Sequence, residues 1–196
     1  MRLSLAKPFV KPPEPQGYPP RIEPMRATLF VTLRLVGKWP RTAPAQVGNL
    51  RQFLELVEEL DQADGGAEWL RDERLATLVS EGLLYRDGRV FHLDAYCIMP
   101  THVHVIFAPY PAAARVGGED SFVSILHSLK RQTAMEANRI LGRQGSFWEG
   151  ESFGRYLRDQ LEWERIVDHV LNNPVRAGLA RDWREWRWSF CRYEWP

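Results

Sequence analysis

His102-Val103-His104 lies within Ala95–Ala108 (AYCIMPTHVHVIFA), a run dense in β-branched and aromatic residues. Such a run predicts strand, and on a strand residues two apart face the same way. The two imidazoles then share one face, while Val103 and Val105 share the other. Imidazoles paired in this way can ligate a divalent ion. Five histidines in 196 residues also produce the spacing with no ligand role, as ordinary packed side chains. A second set lies further along. Over Gln160–Asn172, Trp163, Ile166, Val167, Val170 and Leu171 recur at helical spacing and define a core face. His169 and Asn173 stand one turn apart on its flank, with Glu162 and Arg165. A side chain on that border can reach into a cleft. Equally, Asn173 can simply end the helix before Pro174, leaving His169 as a rim residue.

Cations and aromatics supply a third pattern. Arg143, Trp148, Arg155, Tyr156 and Arg158 interleave over Gly145–Asp159 and just before it, the arrangement that holds single-stranded nucleic acid by backbone charge and base stacking. Aromatics in a loop also cover core edges, so both readings stand. On the preceding helical segment Ser124, His127, Arg131, Met135 and Asn138 fall opposite the apolar stripe, with Ser128 and Arg139 beside them. That face suits phosphate contacts and equally a solvated surface. With Lys130 and Arg176 added, the candidate nucleic-acid contacts are Lys130, Arg131, Arg139, Arg143, Trp148, Arg155, Arg158 and Arg176.

The elements that must position these groups follow from periodicity. Ala27–Val36 predicts a first strand ended by Gly37 and Pro40, and Pro44 to about Leu60 an amphipathic helix. Trp69–Leu83 predicts a second helix closed by Asp87-Gly88. Val90–Met99 and His102–Ala108 predict two strands joined through Pro100-Thr101. Asp120 or Ser121 caps a long helix to Leu141, with Gly142 as its stop. Gly145–Asp159 predicts irregular structure, and the last helix closes at Pro174 and Gly178. The tail tryptophans read as packing. The whole is one α+β domain over 26–190, with a proline-rich basic arm at 1–25 and a short tail at 191–196.

Composition narrows the classes. A 44 % hydrophobic, 26 % charged chain is globular in composition, and no apolar run is long enough to span a bilayer. Two cysteines exclude a disulfide framework or a four-thiolate metal site. The opening MRLSLAKPFVKPPEPQ is cut by charge and proline before a secretory core, which predicts a cytoplasmic location. The net charge of +1 hides an asymmetry: residues 1–41 carry eight basic and two acidic side chains, residues 42–94 five and eleven. A basic arm beside an acidic segment fits either internal compensation or a polyanion-binding arm.

Read together, Phe30–Leu35 (FVTLRL), the Ala95–Ala108 run, Ile125–Gly142, Phe147–Asp159 (FWEGESFGRYLRD) and Asn172–Leu179 (NNPVRAGL) resemble the REP-associated tyrosine transposases. These are relatives of the single-tyrosine insertion-sequence transposases of the His–hydrophobic–His nuclease superfamily. The likeness runs in order over roughly residues 26–190. The joint occurrence of MPxHVH, FWxxESF and NNPVRAGL makes it specific.

The resemblance implies a ferredoxin-like antiparallel sheet with helices packed on it and a single-strand endonuclease site acting on hairpin-forming repeat DNA. It implies that His102 and His104 bind Mg or Mn with Asn173 completing the shell, and that a last-helix tyrosine attacks the phosphate. The expected assembly is a monomer or homodimer, away from membranes. Two departures stand out. His169 occupies the tyrosine's place, and Thr101 stands where the family commonly has asparagine. Tyr156 is the nearby alternative nucleophile, in a stretch where the family does not carry one. For His169 four roles are open: metal ligand, general base for water, phosphoryl acceptor, or an inert residue in a DNA-hairpin-binding protein without catalysis.

Overall fold

The computed structural model describes residues 28–37, 49–62, 66–110 and 121–196. The prolines and charges of the expected arm, the Pro44–Gly48 start of the first predicted helix and Asp120 lie outside these residues. The elements run β1 (Leu29–Arg34), α1 (Leu50–Asp61), α2 (Glu73–Arg86), β2 (Phe91–Ile98), β3 (His102–Pro109), α3 (Ser121–Leu141), β4 (Phe153–Tyr156), α4 (Gln160–Leu171), α5 (Asn173–Arg176) and β5 (Ser189–Cys191). The sheet has the order β4-β1-β3-β2-β5, with every pairing antiparallel. This is the expected α+β architecture. Among the described residues no helix is long and apolar enough to cross a membrane.

Alternation along the central strands makes two layers. Val103, Val105 and Phe107 of β3, with Leu29, Val31 and Leu33 of β1, pack beneath α2 and α3. Phe30 and Ile106 face the other way, under α1 and α4, into Phe53, Val57, Trp163, Ile166, Val167 and Val170. A bulge in β2 between Leu93 and Ala95 shifts the phase, so Leu93 and Tyr96 reach the first layer while Ala95 and Cys97 reach the second. Side-chain caps fix the helix starts. Asn49 accepts from the Gln52 N–H at 2.9 Å, and Asp159 from the Glu162 N–H at 2.8 Å.

Four local expectations change. The second helical segment splits into a 3₁₀ turn at Trp69–Arg71 and α2, because Asp72 caps α2 from an extended conformation. Gly145–Asp159 is not wholly irregular. Its residues Phe153–Tyr156 form edge strand β4, too short to show alternation and defined by pairing with β1. Pro174 does not end helical structure: α4 stops at Leu171 and Pro174 sits at the start of α5, where a missing N–H costs nothing. The tail also joins the body, as β5 pairs with β2 and both Tyr193 and Trp195 pack edge-on against Trp163.

Candidate metal centre

β3 begins at His102, and its first and third residues face the α1–α4 layer. Each ring is held from behind by a hydroxyl: His102 Nδ1 lies 2.9 Å from Thr101 Oγ1, and His104 Nδ1 lies 2.9 Å from Thr32 Oγ1 on β1. With Nδ1 donating to Thr101, His102 Nε2 is left with its lone pair. Both Nε2 atoms point to Asp61, the last residue of α1. Its Oδ1 is 3.3 Å from His102 Nε2 and 3.0 Å from His104 Nε2. Its Oδ2 serves the last helices, 3.0 Å from His169 Nε2 and 2.6 Å from Asn173 Nδ2. Asn173 Nδ2 also stands 3.0 Å from His104 Nε2. One carboxylate therefore joins the strand pair to the helix pair.

The cluster is buried. His104 is 0 % exposed, His102 2 %, Asn173 4 % and His169 6 %. Burial pushes the His102 imidazole down to about 3, against the opposing pull of Asp61. His169 is lowered for the same reason, again against its bond to Asp61. For Asp61, burial alone would raise the carboxyl. The fields of His104 and His102 and hydrogen bonds from His104 and His169 outweigh it and hold the group well below the usual range. The result is an anionic Asp61 carboxylate beside the neutral rings of His102 and His169, the protonation state that metal ligands need.

Two observations test the fit of a cation. Asp61, His102 and His104 each offer one ligand atom, all within 4.8 Å of one another. His102 Nε2 is buried without a hydrogen-bond partner, a costly state for a polar atom unless something ligates it. The residues fit a divalent ion held by two nitrogens and one oxygen. Asn173, expected to complete the shell, instead turns its amide nitrogen to Asp61 and His104. That nitrogen is a donor, and the third side chain offering a ligand atom beside the two rings is Asp61.

Asp61 is the residue the sequence reading missed. A signal was present: it stands four after Val57, in line with Phe53 and Val57 on the buried stripe of α1, where a carboxylate is out of character.

The remaining expected residues scatter. Tyr156 pairs with Leu29 and so lies on the α2–α3 side of the sheet, edge-on to Phe122, with the sheet between it and the histidines. That rules out a nucleophile's role at this cluster. Trp148 is a core residue, its indole N–H donating to Thr133 Oγ1 at 2.9 Å, so its ring is not available for base stacking. Arg155 is tied to buried Glu162 at 2.6 Å. Lys130 donates to Gly150 O at 2.9 Å, and Arg143 stacks on Trp69 at 4.1 Å while donating to Asn138 Oδ1. Arg139 pairs with Glu136 on its own helix, and Arg176 donates to His169 O at 2.5 Å. Arg131 and Arg158 are exposed. These eight do not form one surface cluster around the histidines. Arg139 and Arg176 are exposed as well, whereas Trp148 and Arg155 hold the fold.

An α+β domain carrying a His-x-His strand opposed by a helix-borne carboxylate is the class that the fold and site define. The chain matches no family model. It is similar to a REP-associated tyrosine transposase of Escherichia coli K12, 25 % identical over 127 residues that cover 61 % of this chain and 70 % of the relative. A Haemophilus influenzae protein provisionally described by the same family name is 23 % identical over 108 residues. That match covers 50 % of this chain and 58 % of the relative, so the chain spans less than two thirds of that protein. A solved structure of a REP-associated tyrosine transposase bound to a REP hairpin aligns with a TM-score of 0.49 at 18 % identity, covering 90 % of this chain and 82 % of that one. The resemblance read from the motifs to the REP-associated tyrosine transposases is borne out by the two sequence relatives.

Proposed function

We propose that this chain is a transposase-like, metal-assisted endonuclease that acts on hairpin-forming repeat DNA in single-stranded form, cleaving by hydrolysis. The observation that carries the reading is the convergence of Asp61, His102 and His104 about the orphaned His102 Nε2. Those three residues would hold the divalent ion, Mg or Mn as the resemblance implies. Such an ion supplies Lewis-acid polarisation of the scissile phosphate. Thr101 and Thr32 orient the rings, and Asn173 fixes the carboxylate.

His169 stands where the family's tyrosine would attack, and its Nε2 is taken up by Asp61. Its ring lines a cavity of about 540 Å³, and its remaining nitrogen, Nδ1, is the acceptor left to take a proton from water. The water oxygen bonds to phosphorus as the P–O3′ bond breaks, and the departing 3′ oxygen takes a proton from solvent, giving a 5′-phosphate and a 3′-hydroxyl with no covalent protein–DNA link. Incubation of the full chain with repeat hairpin DNA and Mn²⁺ tests this. Cleavage by wild type and none by His102→Ala is expected. Equal background cleavage by both removes the catalytic reading.

A second reading, hairpin binding without cleavage, is favoured by the burial of His169 and its commitment to Asp61. It predicts salt-sensitive binding that needs no metal. A His169→Tyr variant that forms a covalent DNA adduct would place the loss at the nucleophile alone.

A further inference from the structure

Two cavities among the described residues lie on opposite sides of the sheet and differ in sign. The one beneath α3, about 400 Å³, bears Lys130, Arg155 and His127 against the carboxylate of Glu151. The other, about 540 Å³, lies between α1, α4 and the tail, and holds Glu58, Glu164, Asp168 and Glu194 against Arg165 and Arg176. None of these four carboxylates has a cationic partner among the described residues. Glu164 accepts from Gln160 Nε2 at 3.0 Å and Asp168 from Asn172 Nδ2 at 2.9 Å, both neutral groups, while Arg176 is turned to His169 O. Leu54, Trp195 and Leu161, the last 56 % exposed, give the same cavity an apolar wall. Surplus acid beside apolar surface suits an occupant that is cationic and apolar at once.

The chain carries such a segment. Residues 1–27, outside the described structure, hold Arg2, Lys7, Lys11, Arg21 and Arg26 against Glu14 and Glu23. Within them Lys7–Pro13 (KPFVKPP) interleaves cations, prolines and apolar side chains. Proline-rich segments dock along aromatic-lined grooves at low entropic cost, because the extended polyproline form needs little ordering. The route is short. Thr28 O accepts from the Leu157 N–H at 2.9 Å just ahead of α4, and Leu161, Glu164, Arg165 and Asp168 follow as one stripe of that helix along the cavity. Extended, the chain from Lys11 to Thr28 reaches roughly 50 Å, well beyond the ~18 Å length of α4.

From charge, surface and reach together we infer that residues 1–27 occupy this cavity, with Lys7 and Lys11 on its carboxylates and Phe9 and the neighbouring prolines over Leu54, Leu161 and Trp195. Exposed ion pairs are individually weak, and the tether through Thr28 supplies the rest by holding the segment at an effective concentration on the order of millimolar. The cavity beneath α3 meets the same segment with a like charge at Lys130. Because His169 lines the occupied cavity, the seated segment covers the flank where hydrolysis would draw its water, and a polyanion competes for the same lysines. The seat itself does not depend on the endonuclease reading.

Carbodiimide crosslinking of the full chain tests the seat, since it joins an amine only to a carboxylate in contact with it. Besides Lys38 and Lys130, Lys7 and Lys11 are the only lysines of the chain, so the linked peptides identify themselves. Equal parts of unlabelled and heavy-nitrogen-labelled chain are treated at low salt, digested and read by mass spectrometry. Lys7 and Lys11 are expected on Glu58, Glu164, Asp168 and Glu194 at about tenfold the yield at Glu136 and Glu151 across the sheet, with both halves of each link carrying one label. In the double variant Glu58→Lys, Glu164→Lys the yield at Asp168 and Glu194 should fall severalfold. Adding Lys7→Glu and Lys11→Glu to that chain should restore linking with the two sides exchanged. Equal yields on both sides of the sheet overturn the inference, and so does a charge exchange that restores nothing. Links only between differently labelled chains overturn it by making the occupant a second copy. Absence of cavity links, with hairpin affinity lost in Lys7→Ala, Lys11→Ala, overturns it by making the segment a DNA-binding arm. Failure of the chain to cleave DNA strikes the endonuclease reading alone, because the links are read without DNA or metal.

Discussion

The two sides of one sheet make opposite uses of burial. Beneath α2 and α3, β3 contributes Val103, Val105 and Phe107 to a mainly apolar layer whose buried polar side chains are Ser80, Arg86 and Thr133. Beneath α1 and α4 the intervening residues are His102, His104 and Ile106, and the layer around them also buries Thr32, Glu162, His169 and Asn173. The first side gains stability from contact area and close packing. The second spends part of that gain on desolvating polar groups that must then satisfy one another. A strand shared by both is thus rigid on one face and chemically equipped on the other, which is how a site acquires a firm backing.

The sharpest way to separate the sides is to damage each alone. Phe107→Ala empties a ring from the apolar layer and should cost about 3–5 kcal/mol in urea unfolding, with Mn²⁺ affinity unchanged below the transition. Asp61→Asn should do the reverse. It removes the anionic oxygen facing both Nε2 atoms, and Mn²⁺ affinity by calorimetry should fall by at least about a hundredfold, or roughly 2.7 kcal/mol.

Acid and alkali sort the same two sides. The folded His102 value, about 3, lies below its ordinary 6.5, so the unfolded chain takes up a proton that the folded one refuses. Stability of the metal-free protein is therefore complete above about 6.5 and declines as pH falls toward 3, and Asp61, also held low, adds to the loss at the acid end. Tyr96, in the apolar layer and bonded to Ser80 at 2.8 Å, is pushed by burial from 10.0 up to about 12. Its contribution is complete below pH 10 and is lost as pH rises through 12, by about 2–3 kcal/mol. His102→Ala should flatten the acid limb of a melting-temperature profile and Tyr96→Phe the alkaline one. A profile in which each variant alters the opposite limb would break the assignment.

The smallest expected effect concerns the aromatic that sequence placed at the DNA. Trp148→Phe removes one buried hydrogen bond, to Thr133, and should cost about 1 kcal/mol in stability. Hairpin affinity should not change. A large loss of affinity at unchanged stability would return Trp148 to the DNA surface.

How far the site could be read in advance depended on distance along the chain. The shared face of His102 and His104 is a property of residues two apart on a strand, and the one-turn spacing of His169 and Asn173 would be a property of a single helix. The first appears in the structure; His169 and Asn173 lie on α4 and at the start of α5, and meet through Asp61 instead. Arg155 and Trp148 look alike in sequence, a cation and an aromatic in a polar stretch. Only the approach of Glu162 and Thr133 shows that both hold the fold. Strand β4 was invisible for a related reason, since four residues display no period and acquire strand geometry from pairing with β1.

By itself the sequence determined the alternation of β3, the capped amphipathic helices and the motif order that resembles the REP-associated tyrosine transposases. Those depend on bonds and side chains a few residues apart. Only the tertiary structure decided that the end of α1 brings Asp61 between the strand histidines and the last-helix pair, that Arg34 stands opposite His102, and that Tyr156 lies behind the sheet. Such meetings are set by which apolar faces bury together, and short-range periodicity does not encode how two distant segments cross.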